Sequence, residues 1–272
     1  MKKIIIIKAN GEKAPFDPNK VESTCIRAGA SPDLAKRIAN QVYSKTRQGM
    51  TTREIYRMVL HFLSEHGMIA IKHRYRLKEA IMRMGPAGFS FETYVGQILG
   101  DFGYTTKSIR AEMAGRCVKH EVDLVLESIR DSKKWMVECK YHNMPGRYTG
   151  LKESLYTHAR FLDLSDKFDG EMLVCNTKVS SDVITYAKCV GQQVLSWKYP
   201  TEKGLERMIE EKKLYPITIL GPTKKELVLF SKNSLMIAKD LVDMPVNEVV
   251  NKTGISIKRI IILRNLARQI IS

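Results

Sequence analysis

Val122-Asp-Leu-Val-Leu126 and Met136-Val-Glu-Cys-Lys-Tyr141 are two short runs that set polar, chemically competent residues inside apolar sequence. Both are rich in apolar and β-branched residues, the composition of buried strands, so strands are predicted over His120–Glu127 and Trp135–Tyr141. Arg130-Asp131-Ser132-Lys133-Lys134 lies between them and is polar enough for the turn of a hairpin. Residues i and i+2 of a strand share a face, which makes Glu138 and Lys140 neighbours. The hairpin brings Asp123 alongside them, while Cys139 buries its side chain and offers its backbone carbonyl. Acids and a lysine inside apolar strands are costly unless paired or metal-bound. Carboxylates and a carbonyl are the hard oxygen ligands that suit Mg²⁺ or Mn²⁺, and an ammonium beside them can orient water. The bland alternative is an edge strand whose Glu138 and Lys140 form a solvated pair of little worth.

Outward from the hairpin, Phe91–Tyr104 carries apolar residues at helical spacing and is stopped by Gly103. Glu92 falls in its first turn, either as an additional metal ligand or as an ordinary helix-start acid. Downstream, helices are predicted over Gly150–Leu164 and Ser181–Val190, with strands at Gly170–Asn176 and Gln192–Trp197. Alternating elements of this kind give an α/β sandwich around a mixed sheet.

On Asp123, Glu138-Cys139-Lys140 and the Gly170–Trp197 stretch with Val174-Cys-Asn-Thr177, the segment 87–200 resembles the PD-(D/E)xK nucleases. It is most similar to the Mrr-like branch of type IV restriction endonucleases. Val122 replaces the proline of the motif, and Glu138 stands where many Mrr members have glutamine. The resemblance implies a restriction-endonuclease-like α/β/α core and a Mg²⁺-dependent endodeoxyribonuclease. Asp123, Glu138 and Lys140 would be catalytic, with Asp123, Glu138, the Cys139 carbonyl and Glu92 as metal ligands. Lys152, Tyr156 and Arg160 on the next helix could line the DNA face. His120 and His142 flank the site and are taken as hydrogen-bonded neighbours.

At the front, Ile4–Ile7 reads as a strand, Asn10-Gly11 as a turn, and Asp17-Pro18 as the cap and first residue of a helix. Helical patterns follow near Pro32–Thr46, Thr52–His66 and Ile69–Met84. A β-hairpin plus helical bundle in this wording, over residues 1–86, resembles the ATP-cone, a regulatory nucleotide-binding module. The resemblance places ATP or dATP as an effector at Lys8, Gly11, Phe16, Lys20 and Thr52. Ala9 and Ala14 depart from the family pattern, and a cone kept only for packing or dimerisation is the alternative.

Residues 201–272 form a small, mainly helical segment. Gly204–Lys213 looks helical, Tyr215–Leu220 extended, and two helices meet at Thr253-Gly254-Ile255 with Ser256 as cap of the second. That spacing weakly resembles a helix-hairpin-helix, with Lys258 and Arg259 as DNA-binding cations; a packing subdomain with a basic face fits equally.

The net charge of +16 over 272 residues suits a polyanion such as DNA. Residues 1–88 carry 17 Lys and Arg against 7 Asp and Glu, whereas the middle segment is nearly balanced. The flanks can therefore grip phosphate while the centre gathers acids. Five scattered cysteines without a CxxC pair argue against zinc or a disulfide scaffold. No apolar run is long enough to cross a membrane, and Lys8 ends the opening run too early for a signal peptide. A cytoplasmic multi-domain α/β protein is expected, a homo-oligomer that meets DNA and a nucleotide effector. The rival reading is an ATP-responsive DNA-binding regulator on an inactive nuclease scaffold.

Overall fold

The computed structural model describes residues 4–85 and 89–272; the boundary expected at Pro86 and the opening Met1-Lys2-Lys3 lie outside them. At the front, β1 (Ile5–Ile7) and β2 (Lys13–Pro15) pair antiparallel. Their turn needs a positive φ at Gly11, which is +86°. Asp17 caps α1 (Pro18–Arg27), its carboxylate accepting from the Asn19 amide at 3.0 Å. Ser31 caps α2 (Pro32–Lys45), and Thr51 with Glu54 closes a capping box on α3 (Thr52–Glu65). Val21, Ile38, Val59 and Leu63 form the core of this unit.

The single helix expected over Ile69–Met84 is two, α4 (Ile69–Tyr75) and α5 (Leu77–Met82). No proline or glycine marks the break at Arg76. Ile71 and Tyr75 of α4 pack on the front core, whereas Leu77, Ala80 and Ile81 of α5 pack on the central one. The chain turns there because its apolar residues serve two different cores.

The central unit runs α6 (Phe89–Asp101), β3 (Tyr104–Ala114), β4 (Lys119–Ser128), β5 (Lys134–Lys140), β6 (Tyr148–Thr149), α7 (Leu151–Asp163), β7 (Gly170–Cys175), β8 (Lys178–Val179), α8 (Ser181–Val190) and β9 (Gln193–Leu195). Its five-stranded sheet has the order β3-β4-β5-β7-β9. The first two pairings are antiparallel and the last two parallel, with α7 and α8 as crossovers, so the sheet is mixed as expected. Leu124, Leu126, Val137 and Val174 face α6 and the tail, while Val125 and Met136 face Leu164 and Phe168 beside α7. β6 and β8 form a separate parallel pair.

The edge strand β3 was not among the expected elements. Its alternation is between half-buried and exposed positions, and Thr105, Lys107 and Ser108 lack the apolar signature of an inner strand.

The tail holds α9 (Leu205–Lys212), α10 (Lys224–Lys232), α11 (Asp240–Asp243), α12 (Val246–Thr253) and α13 (Ile257–Ile271). Tyr215–Leu220, expected to be extended, is instead one bridge at Pro216 followed by a 3₁₀ turn over Ile217–Leu220. All four residues of that turn are buried, which a packed turn achieves as well as a strand. Ser256 precedes α13 as expected, but its hydroxyl makes no capping bond. The apolar side chains of the tail join the sheet's own cluster. Tyr94 of α6 donates to the Leu214 carbonyl at 2.7 Å, and Gln97 bonds Asp240 and the Met236 amide. No helix among the described residues is long and apolar enough to cross a membrane.

Candidate functional site

The β4–β5 ladder ends at Leu124 and Val137, and one further step along each strand sets Asp123 across from Glu138. Asp123 Oδ2 accepts from the Cys139 amide at 2.7 Å, which fixes the carboxylate beside the strand that carries Glu138 and Lys140. The β3–β4 ladder pairs residues on both sides of Asp123, and the opposing Arg110 has a left-handed φ of 55°. Strained backbone of this kind concentrates where a side chain must be aimed.

Glu92 of α6 lies near enough to feel the charges of Asp123, Glu121 and Glu138. Its Oε2 is buried and has no hydrogen bond, and the nearest guanidinium nitrogen, on Arg110, is 3.9 Å away. Arg110 itself donates to Glu121 at 2.9 Å. On the other side of the sheet edge, Arg160 of α7 forms an ion pair with Glu138 and lies 5.0 Å from the Tyr156 ring centroid. Lys140 makes no ion pair among the described residues, and its charge acts on Glu138.

Burial, reinforced by Asp123, raises the Glu92 carboxyl to about 7. Burial likewise raises Glu138 to about 7, Asp123 adding to the shift while Arg160 and Lys140 oppose it. Asp123 is raised by burial and partly held back by the Cys139 N–H. Three acids so crowded bind protons unless a cation neutralises them. Unfolded, such carboxyls titrate near 4.5. The folded state therefore holds more protons than the unfolded one between that value and about 7. Stability is full below the lower value and falls as pH rises through the upper one. Glu92→Gln should relieve this, stabilising the metal-free protein at pH 8 by about 1–2 kcal/mol and a few degrees of melting temperature. The gain should vanish at pH 4; equal melting shifts at both pH values would contradict the assignment.

Whether these residues fit a divalent ion is decided by the donor set. Among the described residues no three His, Cys, Asp or Glu side chains are grouped closely enough to hold a metal as they stand. Mg²⁺, however, is commonly held through one or two carboxylates with water completing its shell. Asp123, Glu138 and the Cys139 carbonyl offer that set, and the unbonded Glu92 Oε2 is a further oxygen. The residues fit.

Around this centre, His120 is bonded to Asp163 at 2.7 Å, a carboxylate that also accepts from the Cys117 and Val118 amides. These bonds hold the Asp163 carboxyl well below its usual range. His142 is clamped by Asn176, which accepts from its amide at 2.8 Å and donates to its carbonyl at 2.7 Å. Both histidines are thus structural neighbours. Of the expected DNA-contacting cations, Lys152 and Lys258 are exposed. Arg160 is committed to Glu138, and Arg259 to Glu226 at 2.9 Å and the Gly221 carbonyl.

In the front unit, Lys8 and Lys20 line one cleft, whereas Gly11 forms the hairpin turn and Phe16 stacks on Tyr43 at 6.2 Å. Thr52 opens α3 beside Thr51, which bridges to Ile7 of β1. Sequence reasoning missed Arg110, Lys78, Arg147 and Lys178. Arg110 lies on the unexpected strand, and the other three belong to the cleft only through long-range packing.

Residues 4–80 match the ATP-cone family, the ATP cone domain. An uncharacterized protein of Archaeoglobus fulgidus is 40% identical over 166 residues, 61% of this chain and 92% of that protein. A crystal structure of the protein of unknown function AF1548 shares 36% identity at a TM-score of 0.62, covering 67% of this chain and 97% of that one. The front of the molecule is therefore an ATP cone, the mark of nucleotide-responsive regulation. By identity across nearly the whole length of its relative, the chain belongs to the family of that uncharacterized Archaeoglobus fulgidus protein.

Proposed function

We propose that this protein is a Mg²⁺-dependent endodeoxyribonuclease of the PD-(D/E)xK, Mrr-like kind whose activity answers to ATP or dATP. The observation that carries the reading is that Asp123 of β4 stands across from Glu138 on β5, the strand of Lys140. Both carboxyls are raised by burial, Glu138 also by the charge of Asp123, and Glu92 feels both. The charge of +16 supplies the attraction to a polyphosphate backbone.

Asp123, Glu138 and the Cys139 carbonyl would hold the metal, with Glu92 as an added oxygen. When bound, Mg²⁺ would supply Lewis-acid stabilisation of the negative charge on the phosphoryl oxygens and lower the pKa of a bound water. Lys140 would hold the attacking water, which gives up a proton to solvent, and balance the negative charge on its oxygen as the new P–O bond forms. One bridging P–O bond breaks, and its oxygen takes a proton from solvent. Asp123 accepts a hydrogen bond from the Cys139 amide, which ties its carboxylate to the strand that carries Glu138 and Lys140. Arg160, paired with Glu138, would meet a backbone phosphate only when that carboxylate turns to the metal. Exposed Lys152 and Lys258 add charge that steers the duplex without choosing a sequence. Assembly into a homo-oligomer belongs to the same reading, and sedimentation with and without ATP tests it.

The decisive assay is supercoiled plasmid incubated with Mg²⁺, with EDTA, and with Mg²⁺ plus ATP. Nicked or linear product that disappears with EDTA is expected. Plasmid that is retarded on a gel yet uncut in every arm would favour the ATP-responsive DNA-binding regulator.

A further inference from the structure

We infer that the cleft between the cone's hairpin and the sheet domain is a composite polyphosphate site, closed around a nucleoside triphosphate by cations from both units. This rests on the cone being a nucleotide receptor, and it adds that the receptor is incomplete without the neighbouring domain.

The cleft encloses about 360 Å³, within the range of small-molecule sites. Lys8 and Lys20 reach it from the cone, Arg147 and Lys178 from the sheet domain, and Lys78 lies between them. Among the described residues Glu12 is the one acid lining it, and it is already paired with Lys8 at 3.0 Å. A half-enclosed space with this surplus of positive charge favours a compact, multiply charged anion. Burial holds the Lys78 ammonium down to about 7, and the charges of Lys198 and Lys178 add a smaller push in the same direction. Tyr148, 54% exposed, stands at the same wall and offers an aromatic face to a base.

Two further contacts show that the cleft's walls are built against each other. Gly146 has a φ of +83°, and a Cβ there would stand 3.1 Å from the Asn10 amide nitrogen of the cone's turn. Only glycine lets the 142–147 loop approach the hairpin so closely. Lys78 also donates to the Asn176 carbonyl and sits 4.2 Å from the Trp197 ring centroid. The Asn176 side chain clamps the backbone of His142, two residues beyond Lys140. Phosphate drawn onto Lys78 and Arg147 therefore pulls on the segment that leaves the Lys140 strand, a physical route from effector to catalytic lysine.

The test is calorimetric titration of ATP, and separately of inorganic triphosphate, into the full chain and into its Arg147→Ala/Lys178→Ala variant. Both residues are exposed, so the variant should fold, as melting curves will verify. Wild type should bind both ligands, and the variant should bind each at least about tenfold more weakly. Equal ATP affinity in the two proteins would overturn the composite site, as would a variant that loses duplex DNA but keeps ATP. A wild type that binds neither ligand would overturn it together with the nucleotide-receptor reading. Lys140→Ala should bind ATP as wild type does. Calorimetry requires no DNA cleavage, so an inactive nuclease centre leaves this result decisive.

Discussion

Lys140→Ala should lower Mg²⁺-dependent plasmid nicking by about 10²–10⁴-fold while leaving melting temperature and DNA retention near wild type. The magnitude follows from the geometry. Lys140 makes no ion pair among the described residues and closes no hydrogen bond of the sheet with its side chain, so its removal takes nothing structural away. What it removes is the cation on the same strand face as Glu138, whose carboxyl it helps to hold down against burial. The Glu138 carboxyl should consequently rise further, and any residual activity should shift to higher pH. Lys140→Arg keeps the charge in a larger, planar shape and should recover only part of the rate. A Lys140→Ala protein that cuts as fast as wild type would remove the lysine from the mechanism.

The second large effect is expected at Asp123. Asp123→Asn preserves a side-chain oxygen for the Cys139 amide, so the strand pairing should survive. It deletes the charge that, after burial, does most to raise both Glu92 and Glu138. Three consequences belong together: the metal-free protein becomes more stable at pH 8, Mn²⁺ affinity falls by about 10–100-fold, and nicking drops at least as far. Mn²⁺ binding followed by electron paramagnetic resonance measures the affinity without any DNA present. Unchanged affinity would mean that the carboxylate serves only the Cys139 amide.

The reasons some of this was legible in the sequence are local ones. Apolar, β-branched runs around Asp123 and Glu138 fix two inner strands, and the two-residue repeat puts Glu138 and Lys140 on one face. Asp17-Pro18 and Thr51–Glu54 mark helix starts by short-range capping, and the structure has both. What stayed hidden depends on partners distant in sequence. β3 is polar because it is an edge. The break at Arg76 exists because α4 and α5 feed two cores. Arg160 reads as a helix-surface cation, and only tertiary packing reveals that it is turned onto Glu138. Lys8 and Arg147 are brought to one cleft by the approach of Gly146 to the cone's turn, which no local pattern announces.

If Asp123, Glu138 and Lys140 frame one divalent-ion centre, an anomalous difference map from a crystal soaked in Mn²⁺ should show the ion there. A peak bonded to the Asp123 and Glu138 carboxylates and the Cys139 carbonyl, at about 2.1–2.2 Å, is the expected result. A map with full Mn²⁺ signal elsewhere, none between these strands, and Glu138 still clasped by Arg160 would contradict it.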